Sequence, residues 1–193
     1  MTALFATSPD SMTNILLNNK KDLLRKALLI AGGVLVMAFA SQLSVPLIPV
    51  PLTFQSSAVI LIGMTYGARY GAYVMLAYLA AGLCGLPVFA DFAAGPALFA
   101  GPTSGYLLGF VPAALVSGFL MQRGWARNIF TSFGAALAGV SIIFITGVAV
   151  LTNFTGSLHT ALVAGVAPFL ISEPIKLLVV AALATRLWKK KSA

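Results

Sequence analysis

Charge is the scarcest property of this sequence. Only 8% of its 193 residues are Asp, Glu, Lys or Arg, and just 4 of them are acidic, whereas an average soluble domain carries about 25% charge. So little polar surface cannot cover a water-facing globule of 20.0 kDa. A soluble single domain is excluded, and most of the exterior has to face lipid. Cysteine occurs once, as Cys84; no internal disulfide can form, and within its apolar run the residue reads as a small buried hydrophobe. Histidine also occurs once, as His159. With no second His and no HExxH context, no metal centre is expected, and His159 reads as a solvated outer-loop residue. No Lys follows a Gly anywhere, so the Gly-Lys core of a Walker A loop is absent.

What the sequence has in abundance is apolar surface: 60% hydrophobic residues and a mean hydropathy of +0.99. Mainly apolar stretches lie near 27–45, 55–68, 70–86, 104–122, 129–152 and 170–188, separated by Pro/Gly clusters or basic residues. At about 20 residues per span they predict an all-α integral membrane protein, a single bundle of six transmembrane helices over residues 21–193. Residues 1–20 are polar and weakly patterned and read as a flexible cytoplasmic tail, in which Met12 is a second candidate start. Lys20, Lys21, Arg25 and Lys26 before an apolar run and Ala38-Phe39-Ala40 imitate a cleaved signal peptide. The run continues to Val45, however, which favours a membrane-spanning first helix. Between the second and third stretches the one charge is Arg69, in Gly67-Ala68-Arg69-Tyr70-Gly71. A turn there puts Arg69 among headgroups, where a single kinked helix would strand it at mid-membrane.

The net charge of +8 is explained by topology. With the N-terminus inside, eleven of the twelve basic residues fall in cytoplasmic segments and none in the outer loops, which supports an even number of spans and two cytoplasmic termini. The exception is Lys176. Glycines recur every fourth position at Gly63/Gly67/Gly71 and Gly101/Gly105/Gly109, a spacing that lets helices approach closely in lipid.

Charged groups inside a membrane cost from about 2.5 kcal/mol upward, so Asp91, Glu173 and Lys176 are the candidates for function. Glu173 and Lys176 lie in Ser172-Glu173-Pro174-Ile175-Lys176, which reads as a helix start with Ser172 as cap and Pro174 in the first turn. Their i, i+3 spacing puts both side chains on one face, at the floor of a cavity open to the outside. A self-neutralising structural pair is one reading; a site for a polar, partly anionic solute is the other. Two outer loops lie on the same side. Residues 45–55 contain Pro46, Pro49 and Pro51, which prevent helix, and residues 86–106 mix aromatics, glycines and Asp91. Both are too apolar for solvated loops and suggest a lidded pocket for a small, half-apolar ligand. A serine hydrolase built on Ser104 and His159 fails the nucleophile-elbow pattern, because position 102 is Pro. No enzyme is expected. A self-sufficient secondary carrier with Glu173 as its proton-linked site is the alternative transporter.

Four segments occur in the order characteristic of one family: Val50-Pro51-Leu52-Thr53-Phe54-Gln55, Gly85-Leu86-Pro87-Val88-Phe89, Gly101-Pro102-Thr103-Ser104-Gly105-Tyr106-Leu107, and Pro174-Ile175-Lys176. By these the chain resembles, over nearly all of its length after residue 20, the BioY family, the biotin-specific S components of energy-coupling-factor vitamin transporters. The resemblance implies a six-helix protein of the bacterial cytoplasmic membrane that binds biotin from outside. It also implies a transmembrane coupling subunit and a pair of cytoplasmic ATPases, so that ATP acts only through partners and the chain itself needs no cofactor. The family's acid and lysine at the start of the sixth helix map to Glu173 and Lys176, with Glu173 a conservative departure from the usual Asp; Asp91 departs from a more usual Asn. For biotin as ligand, Glu173 is expected to accept a ureido N–H while Lys176 neutralises it and donates to the ligand, or the two charges exchange these roles. Asp91, Thr53 and Gln55 add polar contacts, and Phe54, Phe89 and Tyr106 pack the rings. The family's Ala-x-x-x-Ala docking pattern appears as Ala27 and Ala31.

Overall fold

The computed structural model describes residues 22–192; the tail over 1–20 lies outside the described residues. Seven α-helices are present among them: α1 (Asp22–Gln42), α2 (Gln55–Tyr66), α3 (Ala68–Leu83), α4 (Ser104–Gln122), α5 (Ile129–Thr155), α6 (Leu158–Gly165) and α7 (Ser172–Ser192). The rest is irregular apart from four short 3-10 turns and one antiparallel pair of two-residue strands, β1 (Ser44–Val45) and β2 (Leu52–Thr53).

Six helices coincide with the six apolar stretches, with shifted ends. The first helix stops at Gln42 and not at Val45. Ser44 and Val45 pair instead with Thr53 and Leu52, and the Phe54 N–H donates to the Leu43 carbonyl at 3.1 Å. The three prolines between the strands leave the segment no helical option, so its backbone groups find partners in a hairpin-like ladder. α6 was not expected. It starts where the Ser157 hydroxyl accepts from the Thr160 N–H, just after α5 ends at Gly156 with φ 72°. Ser172 is itself helical, and its hydroxyl turns back to the Phe169 carbonyl at 3.4 Å, so it is not the cap that the sequence suggested.

Among the described residues three helices, α1, α4 and α5, are long and apolar enough to cross a membrane singly. A fourth candidate is the pair formed by Leu158–Phe169 and α7, bent by 50° at the break between them. α2 and α3, of 12 and 16 residues, are each shorter than the roughly 20 residues a full span needs. They join at Gly67, whose φ of 83° and ψ of 168° turn the chain directly from one helix into the next. Large apolar side chains point outward along the bundle, among them Leu35, Ile145 and Phe130 at 71%, 68% and 84% exposure, as a lipid-facing exterior requires. Cys84 corrects an expectation: it is exposed, because α3 ends at Leu83 and the chain turns away at Gly85.

The glycine spacing serves packing, with α4 at the centre against α2, α3 and α5. A Cβ on Gly118 would lie 2.5 Å from the Ala68 nitrogen and 2.6 Å from the Gly63 oxygen, and one on Gly71 would lie 2.9 Å from the Gly63 Cα. On the opposite side of α4, a Cβ on Gly105 would lie 2.8 Å from the Val150 Cβ. Three helices thus meet with backbone nearly touching backbone around Gly63 and Gly118, where no flexible side chain can give way. Gly118→Ala is accordingly expected to destabilise the protein by about 1–3 kcal/mol. Gly32→Ala, in a helical position with nothing within 4 Å, is expected to be neutral or slightly stabilising. Thermal melting of both variants in detergent checks the contrast.

Candidate functional site

The start of α7 carries the two buried charges. Glu173 and Lys176 are 5% and 9% exposed and in direct contact, one turn apart. Glu173 lies in the first helical turn, where the helix dipole favours an anion. The pair is completed from the first loop and α2. Lys176 Nζ donates to the Thr53 carbonyl at 2.9 Å and to the Ser56 hydroxyl at 3.3 Å, and the Ser56 hydroxyl lies 3.0 and 3.1 Å from the two Glu173 oxygens, to which it donates. The three ammonium hydrogens of Lys176 therefore all have acceptors on the protein. The ammonium also stands 5.5 Å from the centroid of the Phe54 ring.

Above this pair is a cleft enclosing about 490 Å³, part of it open to solvent. Val50 and Pro51 line it from the first loop, Tyr106 and Phe110 from α4, and Phe144 from α5 beside Phe169. Its polar groups are Thr53, Gln55, Ser56, Thr103 and Glu173, together with the Tyr106 hydroxyl. That hydroxyl donates to the Gly165 carbonyl at 3.0 Å, which fixes the ring against α6. Phe144 meets Tyr106 and Phe169 edge to face, with centroids 6.2 and 5.4 Å apart. A second cleft between α5 and α7, lined mainly by apolar side chains, shares Phe144, Phe169 and Glu173 with the first.

The candidates named from sequence separate into two groups. Thr53, Gln55, Tyr106 and Glu173 line the cleft together. Lys176, Phe54, Phe89 and Asp91 are not on its wall. Lys176 stands behind Glu173, and Phe54 is 47% exposed at the head of α2. Phe89 is buried beside Tyr78 and Phe99, with centroids 5.3 and 5.9 Å away. Asp91 is exposed, in a left-handed conformation (φ 55°, ψ 34°) that Asp tolerates; its carboxylate accepts from the Ser44 hydroxyl at 3.3 Å. Ser104 donates its hydroxyl to the Gly101 carbonyl at 2.7 Å, and His159 is exposed on α6, so neither reaches the cleft. Ala27 and Ala31 are exposed on α1, away from the cleft.

Sequence reasoning missed Ser56, Phe110, Phe144 and Phe169. Ser56 follows Gln55 directly and was within reach of a helical reading, since position 56 is in the first turn of α2. The three phenylalanines carry no local signal, because an aromatic inside an apolar run looks the same whether it faces lipid or a cleft.

A polar network extends behind the wall. Gln55 receives the Thr53 hydroxyl on its side-chain oxygen at 3.1 Å, and its amide nitrogen donates to the Tyr78 hydroxyl at 2.6 Å. Tyr78 donates in turn to the Val88 carbonyl at 2.8 Å. Gln42 grips the same loop from α1, donating to the Phe89 carbonyl at 2.9 Å and accepting from the Phe92 N–H at 3.2 Å.

Comparison with known proteins agrees with this architecture. The chain is 37% identical over 163 residues to the biotin transporter BioY of Thermotoga maritima, covering 83% of this chain and 95% of that protein. It is 35% identical over 159 residues to the probable biotin transporter BioY of Pyrococcus horikoshii, covering 82% and 93% respectively. Among solved structures, the S-component for biotin from an ECF-type ABC transporter superposes with a TM-score of 0.81 at 26% identity, over 89% of this chain and 94% of that one. These relatives are transporters and not enzymes. The BioY family model matches residues 10–193, and the chain belongs to the BioY family.

Proposed function

We propose that the protein is the biotin-binding S component of an energy-coupling-factor transporter and takes up biotin across the bacterial cytoplasmic membrane. In this reading residues 21–193 form the substrate-binding domain, a bundle of six transmembrane helices with both termini in the cytoplasm. A separate transmembrane coupling subunit and a pair of cytoplasmic ATPases supply the energy. The observation that carries the proposal is the cleft itself: aromatic walls closing on a carboxylate that a buried lysine and a serine hold in place. Biotin matches it in kind. Its ureido ring offers two N–H donors, and its sulfur ring and side chain are apolar. Glu173 accepts a ureido N–H, Thr53 and Gln55 add polar contacts, and Tyr106, Phe144 and Phe169 pack the rings. Lys176 acts through Glu173 by neutralising and orienting it. Phe54, Phe89 and Asp91 support the loops from behind, Phe54 covering the Lys176 ammonium and Asp91 tying its loop to Ser44.

Purified protein in detergent is expected to bind biotin tightly and neither riboflavin nor thiamine. Glu173→Gln and Lys176→Ala are each expected to weaken biotin binding at least tenfold, about 1.4 kcal/mol, because each strands the partner charge in the interior. Titration calorimetry on the parent and both variants checks this. Parent-like binding by both variants makes the pair purely structural.

The coupling subunit docks on the exposed face of α1 at Ala27 and Ala31, one helical turn apart, where small side chains permit close approach of a partner helix. Ala27→Trp and Ala31→Trp are expected to abolish energised uptake and to leave biotin binding by the isolated subunit unchanged. Uptake at the parental rate in both variants removes this face from the docking surface.

Val50 and Pro51 lie on the cleft, with Val50 6% exposed, and in this reading their loop is the lid. In a Cys84→Ser background, Val50→Cys is expected to react with a water-soluble thiol reagent in the absence of biotin and several-fold more slowly at saturation. His159→Cys serves as the less responsive control. Equal rates with and without biotin rule out the lid.

A further inference from the structure

Behind the cleft, the ring and hydroxyl of Tyr78 are fully buried and no ligand can touch them, yet the hydroxyl is bonded on both sides. Its oxygen is 2.8 Å from the Val88 carbonyl oxygen and 2.6 Å from the Gln55 side-chain nitrogen. Two oxygens at that separation need a proton between them. The carbonyl has none, so the single phenolic proton points at Val88. The Tyr78 oxygen can then only accept, and the one Gln55 group able to donate to it is the NH2. The amide oxygen of Gln55 is thereby turned to the other side, where the Thr53 hydroxyl donates to it at 3.1 Å. Thr53 in turn has spent its only proton, and its oxygen also accepts the Gln55 backbone N–H at 3.2 Å. Gln55, Thr53 and Glu173 all line the cleft. The oxygens of Gln55, Thr53 and Glu173 keep lone pairs for a ligand, while one of the two Gln55 amide hydrogens is committed to Tyr78.

We propose that Tyr78 is a positioning residue for recognition: by donating to the Val88 carbonyl it locks the Gln55 amide with its oxygen on the cleft side, so the wall accepts a ligand N–H and rejects an isosteric ligand acceptor. The inference rests on the biotin reading above, since the ureido group supplies two such donors, one for Glu173 and one for Gln55. Tyr78 works through Gln55 and never meets the ligand. It also ties α3 to the Val88 loop; the Ser41 hydroxyl lies 2.8 Å from the same carbonyl and 2.7 Å from that of Ala38, and can turn its one proton to Val88 when the phenol is removed.

The test compares biotin with its two cyclic carbamate isosteres, in which a ring oxygen replaces one or the other ureido N–H. The parent is expected to bind each at least tenfold more weakly than biotin. In Tyr78→Phe the amide is free to turn and present its NH2, so the preference for biotin over one isostere is expected to narrow at least threefold. The preference over the other, set by Glu173, is expected to stay as in the parent. Thr53→Val releases the same amide from its opposite side and is expected to narrow the same ratio, a second route should Tyr78→Phe fold poorly. A purely structural Tyr78 lowers affinity for all three ligands in parallel. Unchanged ratios in the variants that fold, with biotin still bound by the parent, overturn this inference alone. A parent that does not bind biotin overturns the functional reading and this inference with it.

Discussion

A carboxylate and an ammonium buried together in a chain that has almost no other charge within its apolar stretches set the terms for the rest of this molecule. Neither ion tolerates an apolar interior alone, and the contact between Glu173 and Lys176 satisfies only part of their hydrogen-bonding capacity. The remaining bonds come from residues more than a hundred positions earlier: the Ser56 hydroxyl for both charges and the Thr53 carbonyl for the lysine. The start of α7 is therefore stable only where the first loop and the head of α2 are folded against it. The same contacts that neutralise the pair bring Thr53, Gln55 and Ser56 to the cleft.

From that anchor the polar contacts continue through the loops on this side of the bundle. The Thr53 carbonyl holds Lys176 while its hydroxyl holds Gln55; Gln55 holds Tyr78, and Tyr78 holds Val88. Gln42 and Ser44 secure the following residues through Phe89, Phe92 and Asp91. The two loops that follow α1 and α3 are thus linked by side chains from α1, α2 and α3, with the ion pair at one end of the chain of contacts. Rearranging one loop disturbs bonds of the other.

The opposite kind of contact builds the bundle underneath. Around Gly63, Gly71 and Gly118 the helices touch through backbone and have no side chains between them. This lets the short α2 and α3 both pack on α4 and leaves the space near α7 for the cleft. Dispersion over such close surfaces is what holds helices together where the surroundings are as apolar as the interior. The exterior is correspondingly apolar, and even Cys84 is on it.

The amino-acid sequence alone determined the membrane class, six of the seven described helices to within a few residues, the turn at Gly67 and the pairing of Glu173 with Lys176. Each of these follows from local chemistry: apolar length, a flexible glycine, and two charges three positions apart on one helical face. Four of the eight residues named from sequence, Thr53, Gln55, Tyr106 and Glu173, line the cleft, and they stood out as polar or amphipathic residues against an apolar background. Only the tertiary structure decided that Asp91 and Phe89 stand away from the cleft wall, that Lys176 spends its hydrogens on the protein, and that Ser56, Phe144 and Phe169 line the cleft. Those outcomes depend on which faces of distant helices meet. Hydrophobic periodicity cannot report this when nearly every face is apolar.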